Sequence, residues 1–207
     1  FWAAGLVVDG QQGGNQDRPV GDVKVNDISF FEKEDKVVWR SASHNRTWWR
    51  KAYRYDLVNK YYNADPIFNI GFTKNYNDHD HSHLLKPYMT MAEQLRYKFI
   101  ISVEGNDIAS GLRWQMYSNS VVLMPKPVMC SWFMESTLVP YVHYVPLKNN
   151  FSDLNKKFKW CLDNLDTCHQ ISRNATQYVE QFLNNRNEML LQRSVLKRFL
   201  DNVEVVI

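Results

Sequence analysis

The sequence has little of what staples a chain or carries it across a bilayer. Its 207 residues hold three cysteines, Cys130, Cys161 and Cys168, an odd number without C-x-x-C spacing, which gives neither a disulfide framework nor a zinc site. No apolar run approaches the roughly 20 residues that span a membrane, and no signal peptide opens the chain. The eight glycines fall into neither G-x-x-x-x-G-K-[ST] nor G-x-G-x-x-G, so a P-loop nucleotidase and a dinucleotide fingerprint are unsupported. Charge of one sign is also lacking. Lys and Arg number 25 against 22 Asp and Glu, a net charge of +3, and the basic residues are scattered, which leaves no electrostatic footprint for nucleic acid. Ser110 and Ser131 lie outside any G-x-S-x-G turn, so a serine hydrolase is disfavoured. None of these features fixes a compartment.

Aromatic side chains are abundant: seven Trp, eleven Tyr and eleven Phe. They suit a surface that stacks on sugars or bases, and equally an ordinary core of large residues. A chain of this length buries a sizeable core without covalent staples.

Along the chain, residues 1–35 ("VVDGQQGGNQDRPVGD" and its flanks) show no sustained period and read as a long loop with a short strand at most. "KVVWRSAS" reads as a strand and "NRTWWRKAYRYDLVNKYY" as the helix after it. "PIFNIGF" is a second strand, followed by the polar loop "TKNYNDHDHSH", and "YMTMAEQLR" is helical. A strand over 98–103, a helix from Ile108 to Tyr117 and a strand over 120–124 come next. "SWFMESTLVP" reads as a short helix and "VHYVPL" as a buried strand, and three helical patterns follow from Asp153. Strands alternating with helices predict an α/β fold with a parallel sheet covered on both faces. Ligands of such sheets sit at the carboxyl ends of the strands.

Polar clusters fall at two of those ends. In "IISVEGND", Gly105 allows either close approach of a ligand or a positive φ, and the N–H groups opening the next helix, near Asp107 to Ser110, form an anion site suited to a diphosphate. The plainer reading is that Asn106 or Asp107 caps that helix. Arg40, Arg46 and Arg50 lie on or beyond the end of the first strand, where guanidinium groups clamp phosphates or are simply solvated. Glu135 is a carboxylate that accepts from ribose hydroxyls or else an exposed helix residue. His143 reads as a satisfied core histidine. Asp78, His79, Asp80, His81 and His83 could bind Zn or Mn, although alternating His and Asp in a polar loop is more often solvated loop.

"KFIISVEGNDIASGLRWQMYSNSVVLMP", "SWFMESTLVPYVHYVPLKNNFSDLNKKFKWCLDN" and "ISRNATQYV" together resemble the capsule-associated, LipA-like glycosyltransferases of carbohydrate-enzyme family ninety, which include Rumi-type protein O-glucosyltransferases and capsule xylosyltransferases. The resemblance covers residues 37 to 180. It implies a GT-B architecture whose C-terminal, Rossmann-like lobe holds a UDP-sugar, with inverting transfer of glucose or xylose to a hydroxyl of a glycan or protein and no metal or other cofactor. By position, Arg40 matches the Arg of the family's strand-end element, with Ser41 where relatives have Gly. Gly105, Asn106, Asp107, Ala109 and Ser110 match the segment that packs on the nucleotide, and Arg113 stands two positions beyond Gly111, where many relatives carry Arg. The family's general base is an Asp of the N-terminal lobe that no residue here matches; Asp9 and Asp17 are the nearest early carboxylates. The chain begins at Phe1 and is expected to start inside a longer product. The expected organisation is residues 1–36 as a connector from the acceptor-side lobe, 37–184 as the nucleotide-sugar lobe and 185–207 as a C-terminal helix. A non-catalytic carbohydrate- or nucleotide-binding module is the alternative from another class, and a metal-dependent enzyme using the His/Asp loop is a third.

Overall fold

The apolar runs become five parallel strands in the order β2-β1-β3-β4-β5 of a computed structural model that describes residues 20–43, 54–75, 82–105, 107–183 and 185–203. The strands are β1 (Glu34–Ser43), β2 (Phe68–Asn75), β3 (Tyr97–Ile101), β4 (Val121–Pro125) and β5 (Val145–Leu147). Register aligns Val37 with Phe99, Phe99 with Val121 and Leu123 with Val145. Because side chains alternate along a strand, Val37, Trp39, Phe99, Ile101, Val121 and Leu123 face one side, and Val38, Ile100, Val122 and Met124 face the other. A parallel sheet buries both faces, and helices cover each.

The first face receives Leu57, Val58 and Tyr61 of α2 (Arg54–Tyr61) and Leu154, Phe158 and Cys161 of α5 (Leu154–Asp163). The second receives Val23 of α1 (Val20–Asn26), Met91 of α3 (Met91–Gln94) and Leu112, Trp114 and Met116 of α4 (Leu112–Tyr117). Helix α6 (Leu165–Glu180) serves both: Cys168 and Ile171 join the first core, and Ala175, Tyr178 and Val179 the second. Helix α7 (Asn185–Asn202) carries exposed Leu196, Phe199 and Leu200. This is the parallel α/β sheet, covered on both faces, that the alternation of elements predicts, and it is Rossmann-like as the resemblance implies.

Several boundaries differ from the sequence reading, each for a local reason. The expected loop over 1–35 contains α1 and a 3-10 turn at Phe30–Glu32, and buried Val23 and Phe30 tie both to the sheet. The 88–96 helix shrinks to one turn at α3, started by a capping box in which Glu93 N–H donates to Thr90 Oγ1 at 3.2 Å and Thr90 N–H to Glu93 Oε2 at 2.6 Å. Those bonds to Thr90 hold the Glu93 carboxyl below its ordinary pKa. Helix α4 begins at Leu112, not Ile108. Its N-cap is Gly111, and Leu112 N–H bonds back to Ala109 O at 2.9 Å, so 107–111 is turn. "SWFMESTLVP" yields a single 3-10 turn at Glu135–Thr137. His143 precedes β5 rather than lying in it.

Two lysines are buried at the amino end of the sheet. Lys33 pairs with Asp27 and donates to Leu95 O, and both side chains of the pair are shielded, at 0% and 6% exposure. Burial pushes the Lys33 amine below its ordinary pKa, opposed by the Asp27 carboxylate. Asp27 also accepts Ile28 N–H at 3.0 Å and Asn119 N–H at 2.6 Å, linking α1 to the loop between α4 and β4. Lys98 pairs with Asp35 and lies 5.2 Å from the Phe30 ring centroid, and Phe30 stacks on His169 at 5.2 Å.

Removing one partner of a buried pair strands the other charge, at a cost of about 3–5 kcal/mol. Asp27→Ala is therefore expected to lower unfolding free energy by about that much in urea titrations, whereas Lys33→Met, which leaves Asp27 its two N–H donors, should cost clearly less.

Candidate functional site

Strand order reverses between β1 and β3, since the chain leaves β1 for β2 on one side and returns to β3 on the other. Crevices of doubly wound sheets open at the carboxyl ends of the strands beside such a point. Here the junction is closed by Arg54 at the start of α2: its Nη1 donates to Ala42 O of β1 at 3.1 Å, and its Nη2 to Val103 O just past β3 at 3.3 Å. A Cβ on Gly105 would stand 2.5 Å from Arg54 Nη2, and Gly105 φ lies outside the left-handed range. Gly105 is thus glycine because a guanidinium passes against its backbone; a positive φ is not the reason. The β1–β2 register also shifts between Ser41 and Ala42, an irregularity of the kind that gathers beside sites.

A cleft opens next to this junction, at the ends of β3 and β4, walled by the turn before α4 and by residues 126–129. Ser102, Glu104, Ala109, Leu112, Met124 and Glu135 line it. Glu104 Oε1 accepts Val128 N–H at 3.0 Å and Met129 N–H at 2.9 Å, which pins the 126–129 strap to the end of β3. Glu135 is 4% exposed; its Oε2 accepts Ser131 N–H at 2.6 Å and its Oε1 accepts Ser131 Oγ–H at 2.8 Å. Met134 stands in the left-handed region at φ 54, which for a non-glycine costs about 1–3 kcal/mol. That kink leaves Met134 exposed and Glu135 buried. Tyr178 holds it from behind, with its hydroxyl 2.8 Å from Phe133 O and 3.0 Å from Met134 O. Trp132 is 53% exposed, with the Arg113 guanidinium 5.2 Å from its ring centroid.

Of the residues singled out from the sequence, Ala109 and Glu135 line the cleft, and Arg113 stands on the first turn of α4. The exposed-helix reading of Glu135 falls with its burial. Asp107 and Ser110 are exposed on the turn that replaces the expected helix start, so the N-cap of α4 is Gly111 and not Asp107. Ser41 is half-buried opposite Phe72. Arg40 lies within β1, three residues before its end. Its Nη1 bonds Trp39 O at 3.0 Å and Asn69 O at 2.8 Å, its Nη2 bonds Asn69 Oδ1 at 2.6 Å, and its Nε bonds Pro87 O at 3.1 Å. Burial lowers its pKa, and a phosphate reaching it would have to displace protein acceptors. Arg46, Arg50, Asn106 and residues 78–81 of the His/Asp loop lie outside the described residues. Among the described residues no group of three His, Cys, Asp or Glu could hold a metal, and no helix is long and apolar enough to cross a membrane. His143 is satisfied, its Nδ1 accepting Val139 N–H at 3.0 Å, but it is half-buried in the turn before β5 and not a core histidine.

Arg54 and Ser102 escaped the sequence reading, and Glu104 entered it only as part of the polar cluster "EGND", without a role. A signal exists for Ser102, the lone hydroxyl inside the run "FIISV", whereas Arg54 is one of several arginines in a polar segment.

The profile of glycosyl transferase family 90 matches residues 15–198. The chain belongs to glycosyltransferase family 90. It is similar to O-glucosyltransferase LpsA of Dichelobacter nodosus, 30% identical over 177 residues, which are 86% of this chain and 53% of that protein. It is also similar to human Protein O-glucosyltransferase 3, 28% identical over 107 residues, covering 51% of this chain and 21% of that protein. It is similar as well to Uncharacterized protein 179R of Invertebrate iridescent virus 6, 31% identical over 128 residues, 58% of this chain and 11% of that one. The chain thus spans about half the length of LpsA and smaller shares of the other two. The family assignment agrees with the resemblance carried by "SVEGND" and "VPYVHYVP".

Gly105→Ala is expected to push the Arg54 guanidinium off the two strand ends at a cost of about 1.5–3 kcal/mol, the scale of a charge-assisted hydrogen bond. In an Arg54→Ala background the same substitution should cost little, and a double-mutant cycle by urea unfolding checks the coupling.

Burial holds the His143 pKa below its ordinary value. As pH falls through about 6.5, the unfolded chain takes up a proton before the folded chain does, so stability is lost toward low pH. Unfolding titrations at pH 7.5 and 5.5 should show a smaller loss in His143→Asn than in the native sequence.

Proposed function

We propose that this chain is the donor-binding part of a GT-B glycosyltransferase that moves glucose or xylose from a UDP-sugar to a hydroxyl of a glycan or protein, with inversion and without a metal. The observation that carries this reading is the cleft at the carboxyl ends of β3 and β4, beside the Arg54–Gly105 junction, in a family 90 chain. Its walls, Ala109, Leu112 and Met124, are apolar, and Glu135 lies buried at its side, a combination that suits a nucleoside: flat apolar surface for a base and a carboxylate for ribose hydroxyls. Two carboxylates, Glu104 and Glu135, repel a diphosphate from that part of the cleft. The diphosphate belongs instead near Arg113, at the start of α4, and Lys126 on the strap. Fixed positive charge there stabilises the negative charge that grows on the departing UDP.

Inversion also needs a base on the acceptor hydroxyl, a role that the family resemblance gives to an Asp of the other lobe. The names of LpsA and Protein O-glucosyltransferase 3 favour glucose over xylose as the sugar moved.

Calorimetric titration of the 207-residue chain with UDP, UDP-glucose and UDP-xylose, with and without EDTA, tests the reading. Binding that EDTA leaves intact is expected. Arg113→Ala should weaken UDP about tenfold and leave uridine unchanged, since a charge-assisted phosphate contact is the one removed. A folded chain that binds none of the three nucleotides would sink the donor assignment, and binding abolished by EDTA would sink its metal independence.

A further inference from the structure

Most buried hydroxyls among the described residues have partners; Ser102 and Tyr144 do not, and of the two only Ser102 lines the cleft. Ser118 Oγ donates to Gln115 O at 2.6 Å, Ser120 Oγ to Tyr97 O at 2.7 Å, and Ser172 Oγ reaches Ser118 O at 3.5 Å. Ser102 is 3% exposed, yet its Oγ has no partner among the described residues. Its backbone is fixed, because Ser102 N–H donates to Leu123 O at 3.0 Å. Two other unpartnered buried oxygens, Gln115 Oε1 and Tyr144 Oη, belong to residues that do not line the cleft. A buried hydroxyl without a partner is a cost to the fold, and Ser102 carries that cost at the wall of the cleft.

The surroundings select the ligand's chemistry. Ser102 shares the wall with Ile108, Ala109, Leu112 and Met124, an apolar lining that suits a neutral group, and the lysine of the cleft, Lys126, stands on the strap. Glu104 and Glu135 add negative charge at the same cleft. A neutral planar heterocycle meets the chemical conditions, with faces for the apolar walls and one edge oxygen or nitrogen for a single hydroxyl; the cleft, about 30 Å³ in volume without ligand, must widen to admit it. Ribose hydroxyls beyond it come within the province of Glu135.

We propose that the Ser102 hydroxyl is the specificity-determining hydrogen-bond partner of the donor's nucleobase. This rests on the donor-binding reading above and goes further, since it assigns the base to the slot between β3, β4 and the start of α4.

The test is Ser102→Ala, with the melting temperature of the unliganded chain and calorimetric affinities for uridine and for UDP measured side by side. Loss of an unpaired hydroxyl should leave the melting temperature unchanged or raise it. Uridine and UDP should both bind about three- to tenfold more weakly, by the same factor, as expected for one neutral hydrogen bond. Ser102→Cys, which keeps the volume and supplies only a weak donor, should fall between the two. A native chain that binds UDP no better than Ser102→Ala overturns the Ser102 assignment and leaves the donor reading standing. A variant that melts several degrees lower, or fails to fold, shows the hydroxyl to be paired within the protein and overturns it too. A loss confined to UDP moves the contact to the phosphates and likewise overturns the pairing with the base. A folded native chain that binds neither ligand removes the donor reading and this assignment together.

Discussion

A parallel sheet must bury both of its faces, and nearly everything else in this molecule follows from that demand. Five strands present two apolar surfaces, so helices are needed on each. Each crossover returns the chain to the amino end of the next strand, and the loops that leave the carboxyl ends are thereby gathered along one rim. The rim is where Arg54, Gly105, Glu104 and the 126–135 segment meet. The site is a by-product of covering the sheet, refined by a few polar contacts that fix the strap and the kink at Met134.

Those contacts divide by charge. Arg54 and Arg40, both in contact with β1, are turned onto main-chain carbonyls. They act as ties between strands that a right-handed twist would otherwise splay at the edge. Carboxylates do the same work for loops: Glu104 holds two N–H groups of the strap, and Glu135 two donors of Ser131. Charge at this rim is therefore mostly structural. Arg113 stacks on the half-exposed Trp132, and Lys126 is exposed on the strap.

The sequence was most informative where one physical signal dominated. "KFII" and "VVLMP" could only be buried strands, and the helix patterns after Asp153 were long enough for their period to show. It was least informative where packing overrode local preference. Val23 and Phe30 are isolated apolar residues in a polar stretch, and only the sheet they cover makes α1 and the following turn worth forming. "DIASGLRW" has a helical composition throughout, but the turn ahead of Gly111 delays the helix by four residues. Arg40 follows the apolar run "VVW", which sets it at the strand's end in the sequence, yet "KVVWRSAS" is strand throughout, as expected, because Ser41 to Ser43 find ladder partners in β2. Arg54 was invisible for a different reason. What marks it is the absence of a side chain at Gly105, fifty-one positions away, and no local pattern joins the two.

Helix α6 sets one further property of the molecule. Its first half is built into the core on one side of the sheet and its second half into the core on the other, so neither core can loosen without pulling on the helix that completes its neighbour. Two hydrophobic layers that would otherwise melt as separate cooperative blocks are thereby coupled into a single unit. The rim that carries the cleft inherits this coupling through Tyr178, which belongs to α6 and grips the Met134 kink. Local opening of the cleft wall is consequently tied to the integrity of both layers, and a lesion in the layer remote from the cleft will be felt as a softening of its wall.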